Sequence, residues 1–416
     1  MKILIIKPIL PYPPTQGTRR VTLNLIDSLR GRHDVTLLCK TLNDVEDSLV
    51  RELAVRCHKV VAVRAPNTRS FVHKVACKIF YILKSMITLA PLRAQYDCPG
   101  EIVRAARGLL AAEKYDVLLV EYWTMARTAV GSTARVNVLF EHDVDLIRNR
   151  ERILSARGLF KKIRHLISWS LEKRGQLRAY PLFDSVITLT KFDCAQIAGI
   201  LKREGVTAPG RGMPPAVDVL PTGVDDSFFK ISGREQREGS ILFVGAFAAD
   251  FNVDSIVYFA REVFPLIRME NPEARLLIAG GDAPVEVRAL GSDEGVEFLG
   301  LQNDLTVPLE EAAVFVVPLR FAGGIRIRTL EAMAMGKAIV TTSVGIRGIE
   351  AVDGRDLLIA DGAEKIARAV LDLLADKGRR AKLGAAAREF AKTNYSMEAA
   401  GAGAIELFDR LAGPQD

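Results

Sequence analysis

The chain has 416 residues, 49% hydrophobic and 26% charged, a balance typical of soluble globular proteins. That length exceeds a single core, so two domains of roughly 200 residues each are expected. Five cysteines (Cys39, Cys57, Cys77, Cys98 and Cys194) form no CxxC pair and five histidines no HExxH, which argues against a zinc ribbon and a secreted disulfide framework.

The net charge of +7 is uneven: residues 1–220 carry 35 Lys and Arg against 20 Asp and Glu, and the remainder is net acidic. A basic first half favours an anionic partner such as acidic lipid or a phosphorylated carrier, while solvated helix faces account for the count equally well. The opening MKILIIKPILPYPP has a short apolar stretch broken by Lys7 and no small-residue cleavage site, so no signal peptide is expected. No uncharged run approaches the roughly 20 residues of a membrane-spanning helix, and a cytoplasmic location is expected.

In chain order, Lys2–Ile6 reads as a strand, Tyr12–Gly17 as a proline-rich loop and Arg19–Leu29 as a helix before a strand at Asp34–Cys39. This is a doubly wound opening, with the loop at the carboxyl end of the first strand. Further strands are expected at Lys59–Val63, Val117–Glu121, Val136–Phe140 and Ser185–Thr190. Leu220–Asp225 breaks the pattern and Ser232–Ser240 reads as a polar loop. A second unit restarts at Ile241–Val244, ends its first strand in Gly245, and continues through Arg275–Ala279, Val296–Phe298, Val314–Val317 and Ala338–Thr341. A last helix is expected over Met397–Leu411.

The segment FVVPLRFAGGIRIRTLEAMAMGKAIVTT, Phe315–Thr342, is the most informative. A buried strand meets Pro318, Gly323-Gly324 bends the backbone, and Arg328–Met335 consists of good helix formers. Strand, glycine turn and helix aim free N–H groups and a positive helix end at one point suited to phosphate. Arg326 and Arg328 add charge beside it, and Glu331 is placed to accept hydrogen bonds from sugar hydroxyls. Glycines that merely turn a βαβ crossover are the plainer alternative.

The whole run resembles the donor-binding segment of family 4 glycosyltransferases, in which Pro-Leu-Arg leads through a glycine-rich turn to Glu-Ala-Met-Ala, here Pro318–Arg320 and Glu331–Ala334. The resemblance implies an α/β chain of GT-B architecture, two Rossmann-like doubly wound domains facing a central cleft. The expected divisions are 1–220 on the acceptor side, 221–395 for the nucleotide sugar, and 396–416 as a helix crossing back to the first domain. It also implies a glycosyltransferase (EC 2.4) that moves a sugar with retention and without metal. The donor is a nucleoside-diphosphate sugar, UDP or GDP, with no cofactor. The acceptor is a hydroxyl of a glycan or lipid-linked molecule in polysaccharide or glycoconjugate synthesis. No nucleic acid partner is expected.

Carried over residue by residue, the resemblance assigns Glu331 to the donor ribose, Gly245 to the diphosphate and Gly300–Asp304, with Gly300 and Leu301, to the nucleobase. Two departures stand out. Many relatives have an arginine directly after the glycine and a lysine a few residues on, where this chain has Ala246 and Phe251. Arg326 and Arg328 are the expected substitutes. The acidic residue usual eight positions before Glu331 is Gly323, so the backbone of Gly324 and Ile325 is expected to hold the sugar. In the first half, Gly17 suits close approach to a ligand, and His142 matches a family position that contacts the transferred sugar. A structural His satisfied by a carboxylate weighs equally for His142.

Asp143-Val144-Asp145 has the DxD form of a metal site, but the duplicated strand–helix organisation does not suit the single-domain transferases that use it. Two basic amphipathic stretches, Ser70–Leu92 and Gly158–Arg178, are either core-facing helices or peripheral contacts with an anionic membrane on its inner face. A nucleotide-sugar 2-epimerase of the same fold and a non-catalytic scaffold are the alternative functions.

Overall fold

The computed structural model describes residues 1–14, 17–65, 71–88, 90–144, 146, 153, 158–208 and 212–413. The chain divides into two units, Met1–Thr222 with Ala400–Asp416, and Gly223–Ala399.

In the first unit the strands are β1 (Lys2–Lys7), β2 (Asp34–Thr41), β3 (Lys59–Arg64), β4 (Val117–Glu121), β5 (Val136–Glu141), β6 (Ser185–Thr188) and β7 (Ala216–Val219). They form a parallel sheet in the order β3-β2-β1-β4-β5-β6-β7. Helices cover both faces of such a sheet, which is why β1 and β4 read as near-continuous apolar runs. Strand order reverses between β1 and β4, and Ile6 pairs with Val120, so the next residues, Lys7 and Glu121, close the two strands side by side. The Met397–Ala412 helix buries Leu407 and Phe408, and its Arg410 pairs with Asp218 beside β7 at 2.6 Å.

The second unit has β8 (Arg237–Val244), β9 (Arg275–Ala279), β10 (Val296–Gly300), β11 (Ala312–Val317), β12 (Ala338–Thr341) and β13 (Leu358–Ile359). Their order, β10-β9-β8-β11-β12-β13, is again parallel and doubly wound, reversing between β8 and β11. Its core gathers Ile241, Phe243, Ile278, Val314 and Val340 from the sheet with Phe259, Phe264 and Val370 from the helices.

Some boundaries differ from the sequence reading for local reasons. The expected loop Ser232–Ser240 gives way to strand at Arg237, because the backbone pairs with β11 while the Arg237 and Glu238 side chains stay exposed. The strand at Ser185 stops at Thr188, because Thr190 accepts a hydrogen bond from the Asp193 N–H and caps the Lys191–Arg203 helix. β7 and β13 have only four and two residues, and neither carries an apolar run long enough to announce itself.

Candidate functional site

In the second unit the expected donor residues gather at the carboxyl ends of β8, β9 and β11, where doubly wound sheets bind ligands. Gly245 follows β8, and its N–H donates to Ala279 O at 3.0 Å. A Cβ on Gly280 would lie 1.8 Å from Gly245 O, so the two strand ends meet backbone to backbone. Asn252 ties the loop shut by donating from Nδ2 to Ala246 O at 2.9 Å. Gly300, at φ 68°, accepts from the Gly280 N–H at 2.8 Å, and Leu301 beside it is exposed.

Gly323, Gly324 and Ile325 are buried in the turn from β11 to the Ile327–Ala334 helix, with Gly324 at φ 69°. Arg326 is the residue before that helix and offers no side-chain cap to it, so it leaves the first N–H groups to other partners. Its Nη2 donates to Gly324 O at 2.8 Å, and its guanidinium lies over the Phe251 ring, 5.3 Å from the centroid. A cation thus stands on the residue found where many relatives carry lysine. Arg328 is engaged differently, donating from Nη1 to Oε2 of the fully buried Glu331 at 2.6 Å.

A further arginine, Arg320, was not singled out by sequence. It grips Asp254 with two hydrogen bonds, one of them Nε to Oδ2 at 2.8 Å, and lies over the Tyr258 ring. The Asn252-Val253-Asp254 run therefore anchors local structure at both ends. Period and spacing give no signal for a pair 66 residues apart.

In the first unit, Gly17 begins the Gly17–Leu29 helix, and the carbonyl of the next residue, Thr18, accepts from Lys7 Nζ at 3.3 Å. Lys7 and Glu121, both fully buried, form an ion pair. Thr22 Oγ1 lies 2.7 Å from Lys7 Nζ and 2.7 Å from Glu121 Oε1. His142, just past β5, places Nε2 2.9 Å from Glu121 Oε2, with its ring between Phe140 and Tyr122 at centroid distances of 4.1 and 4.9 Å. Burial would raise the Glu121 carboxyl, but Lys7 and His142 outweigh it and bring the group down to about 2. Burial lowers His142 despite Glu121, which favours the neutral ring. His142 Nδ1 is buried and has no hydrogen-bond partner among the described residues.

Sequence reading found His142 but not Lys7, Thr22 or Glu121. Lys7 reads as the charge that interrupts an apolar run, and only the β1–β4 register turns it into a buried partner. Asp145 of the DxD run lies outside the described residues. Among the described residues no group of three His, Cys, Asp or Glu could hold a metal ion.

Comparison with known proteins agrees with this geometry. The family described as Glycosyl transferases group 1 matches residues 238–376, which contain every donor-side residue above. The chain is 22% identical over 413 residues to an uncharacterised 44.6 kDa protein in the cps region of Klebsiella pneumoniae, covering 95% of this chain and 97% of that protein. It is 28% identical over 215 residues to a GDP-mannose-dependent monoacylated alpha-(1-6)-phosphatidylinositol monomannoside mannosyltransferase of Corynebacterium glutamicum, covering 46% of this chain and 55% of the relative. The chain thus spans about half the length of that enzyme. Sucrose-phosphate synthase from Thermosynechococcus elongatus shares the fold at a TM-score of 0.70 and 18% identity over 99% of both chains. Sheet order, the glycine turn and the family match converge on one conclusion: the chain is a family 4-like glycosyltransferase of GT-B fold.

Proposed function

We propose that the enzyme moves a sugar, with retention and without metal, from a UDP- or GDP-sugar to a hydroxyl of a glycan or lipid-linked acceptor. The observation that carries this reading is the placement of Arg326 at the start of the Ile327–Ala334 helix, stacked on Phe251. As the bond to the sugar breaks, negative charge grows on the departing diphosphate. Fixed donors already aimed at it, the guanidinium and the helix N–H groups, stabilise that charge without reorganising. Arg328 contributes less net charge, because Glu331 is its partner. Glu331 holds the ribose, and Gly245 lets the diphosphate approach bare backbone. A thermal-shift panel over UDP, GDP and ADP tests nucleotide binding and names the base. Stabilisation by none of the three would reject the donor site.

The acceptor reading rests on the first unit. No helix among the described residues is long and apolar enough to cross a membrane. Two helices nevertheless expose large apolar side chains: Phe80, Met86 and Ile87 on Phe71–Thr88, and Leu159, Phe160 and Ile167 on Leu159–Ala179. Phe160 is 81% exposed and is followed by exposed Lys161, Lys162 and Arg164, the arrangement of an interfacial helix on an anionic surface. The mannosyltransferase relative is named for a phosphatidylinositol acceptor, which fits a lipid-linked substrate presented at such a surface.

A further inference from the structure

The Lys7–Glu121 pair sits where strand order reverses in the first unit, and it is more elaborate than packing requires. Two apolar residues of similar volume often serve a core as well as a buried ion pair or better. Here Lys7 is held by Thr22 and the Thr18 carbonyl, and Glu121 by Lys7, Thr22 and His142. The neighbouring Tyr122, whose ring stacks on His142, has φ 68°, a backbone conformation unfavourable for a side chain this large.

The protonation pattern follows from the partners. Glu121 faces Lys7 and is ionised, so it can only accept hydrogen bonds. The hydrogen bond to His142 therefore requires the proton on Nε2. A neutral ring then carries its lone pair on Nδ1, and that buried atom has no donor among the described residues. A buried acceptor lacking a donor is unfavourable until something supplies one.

Building on the glycosyl-transfer reading, we propose that Lys7, Thr22 and Glu121 are positioning residues that lock His142 in its Nε2–H tautomer, so that Nδ1 accepts a hydrogen bond from a hydroxyl of the donor sugar. The ion pair supplies the orientation and the imidazole makes the contact. The same arrangement explains why the cluster tolerates a strained Tyr122, whose ring and that of Phe140 fix the plane of the imidazole.

The test begins with ¹⁵N-histidine-labelled full-length protein, with His142 assigned by loss of its signals in His142→Gln. At neutral pH the wild type should show a protonated Nε2 and an unprotonated Nδ1. A proton on Nδ1, or averaging between tautomers, overturns the proposal. Lys7→Met/Glu121→Gln removes both charges at once and leaves no lone buried ion. It should lose the single tautomer and lower kcat with UDP-glucose or GDP-mannose, whichever the wild type turns over, by about tenfold, the factor of one hydrogen bond in the transition state. Affinity for UDP or GDP alone, which carries no sugar, should not change. A double variant that keeps one tautomer and wild-type kcat refutes the assignment. Thr22→Val, which keeps both charges, should broaden the His142 signals and lower kcat less; should the double variant fail to fold, unchanged signals and kcat in Thr22→Val refute it instead. A wild type that turns over neither donor rejects sugar transfer, and with it the sugar contact, whereas the tautomer signal judges the positioning claim separately.

Discussion

Arg328 Nη1 lies 2.6 Å from Glu331 Oε2, one helical turn along the Ile327–Ala334 helix, and the carboxylate it meets is fully buried. The pair fixes the carboxylate of the residue assigned to the ribose and reduces the net charge that Arg328 presents to a diphosphate. Glu331→Gln keeps the volume but removes the charge. Nucleoside diphosphate affinity should fall by about 1.5–3 kcal/mol, the range for hydrogen bonds to a charged group. Calorimetry on folded variant protein checks this, and unchanged affinity would move the ribose elsewhere.

Arg326 is expected to act on the leaving group more than on the bound substrate. Arg326→Ala should lower kcat by more than it raises KM, because only interactions that strengthen in the transition state raise the rate. Arg326→Lys should fall less, since a cation remains although the fork geometry and the stacking on Phe251 change. Steady-state kinetics on both variants separates the two effects.

Lys337 gives a pH prediction independent of catalysis. It is buried beside Glu310, donates to the Glu310 carbonyl at 3.0 Å, and burial lowers its amine to about 8. Between about 8 and 10.5 the unfolded chain holds a proton that the folded chain has released, so this group makes stability rise with pH through that window. At pH 7 its burial therefore costs about 3 kcal/mol. Lys337→Met should be more stable than wild type near pH 7, with the advantage shrinking as pH rises to 10. Thermal unfolding of both proteins at the two pH values checks the sign.

The exposed apolar residues of the Leu159–Ala179 helix predict binding to anionic vesicles at low ionic strength. Each Lys or Arg near such a surface contributes about 1 kcal/mol, weakened by salt. Neutralising Lys161, Lys162 and Arg164 together should reduce co-sedimentation. Absence of binding at low salt, with full activity on a water-soluble acceptor, would instead favour solvated helix faces.

Much of the fold was legible because parallel strands buried on both faces leave continuous apolar runs; β4, β9 and β12 begin and end where the sequence reading placed them. The donor turn was legible because one contiguous segment carries strand, glycines, arginines and helix. What stayed hidden depends on register between distant segments. Arg320 with Asp254, Arg326 over Phe251, and Lys7 with Glu121 each join residues that no local period connects. The strand start at Arg237 was hidden for the opposite reason, because its backbone pairs while its side chains face water.

Release of nucleoside diphosphate from UDP- and GDP-sugars, measured in excess EDTA with and without acceptor, tests the central claim most directly. The account predicts release from one class of donor, abolished or strongly reduced in Arg326→Ala, with chelator present throughout. No release from any donor would contradict sugar transfer. Release only after Mg²⁺ or Mn²⁺ is restored would contradict the assignment of leaving-group stabilisation to Arg326 and the helix terminus.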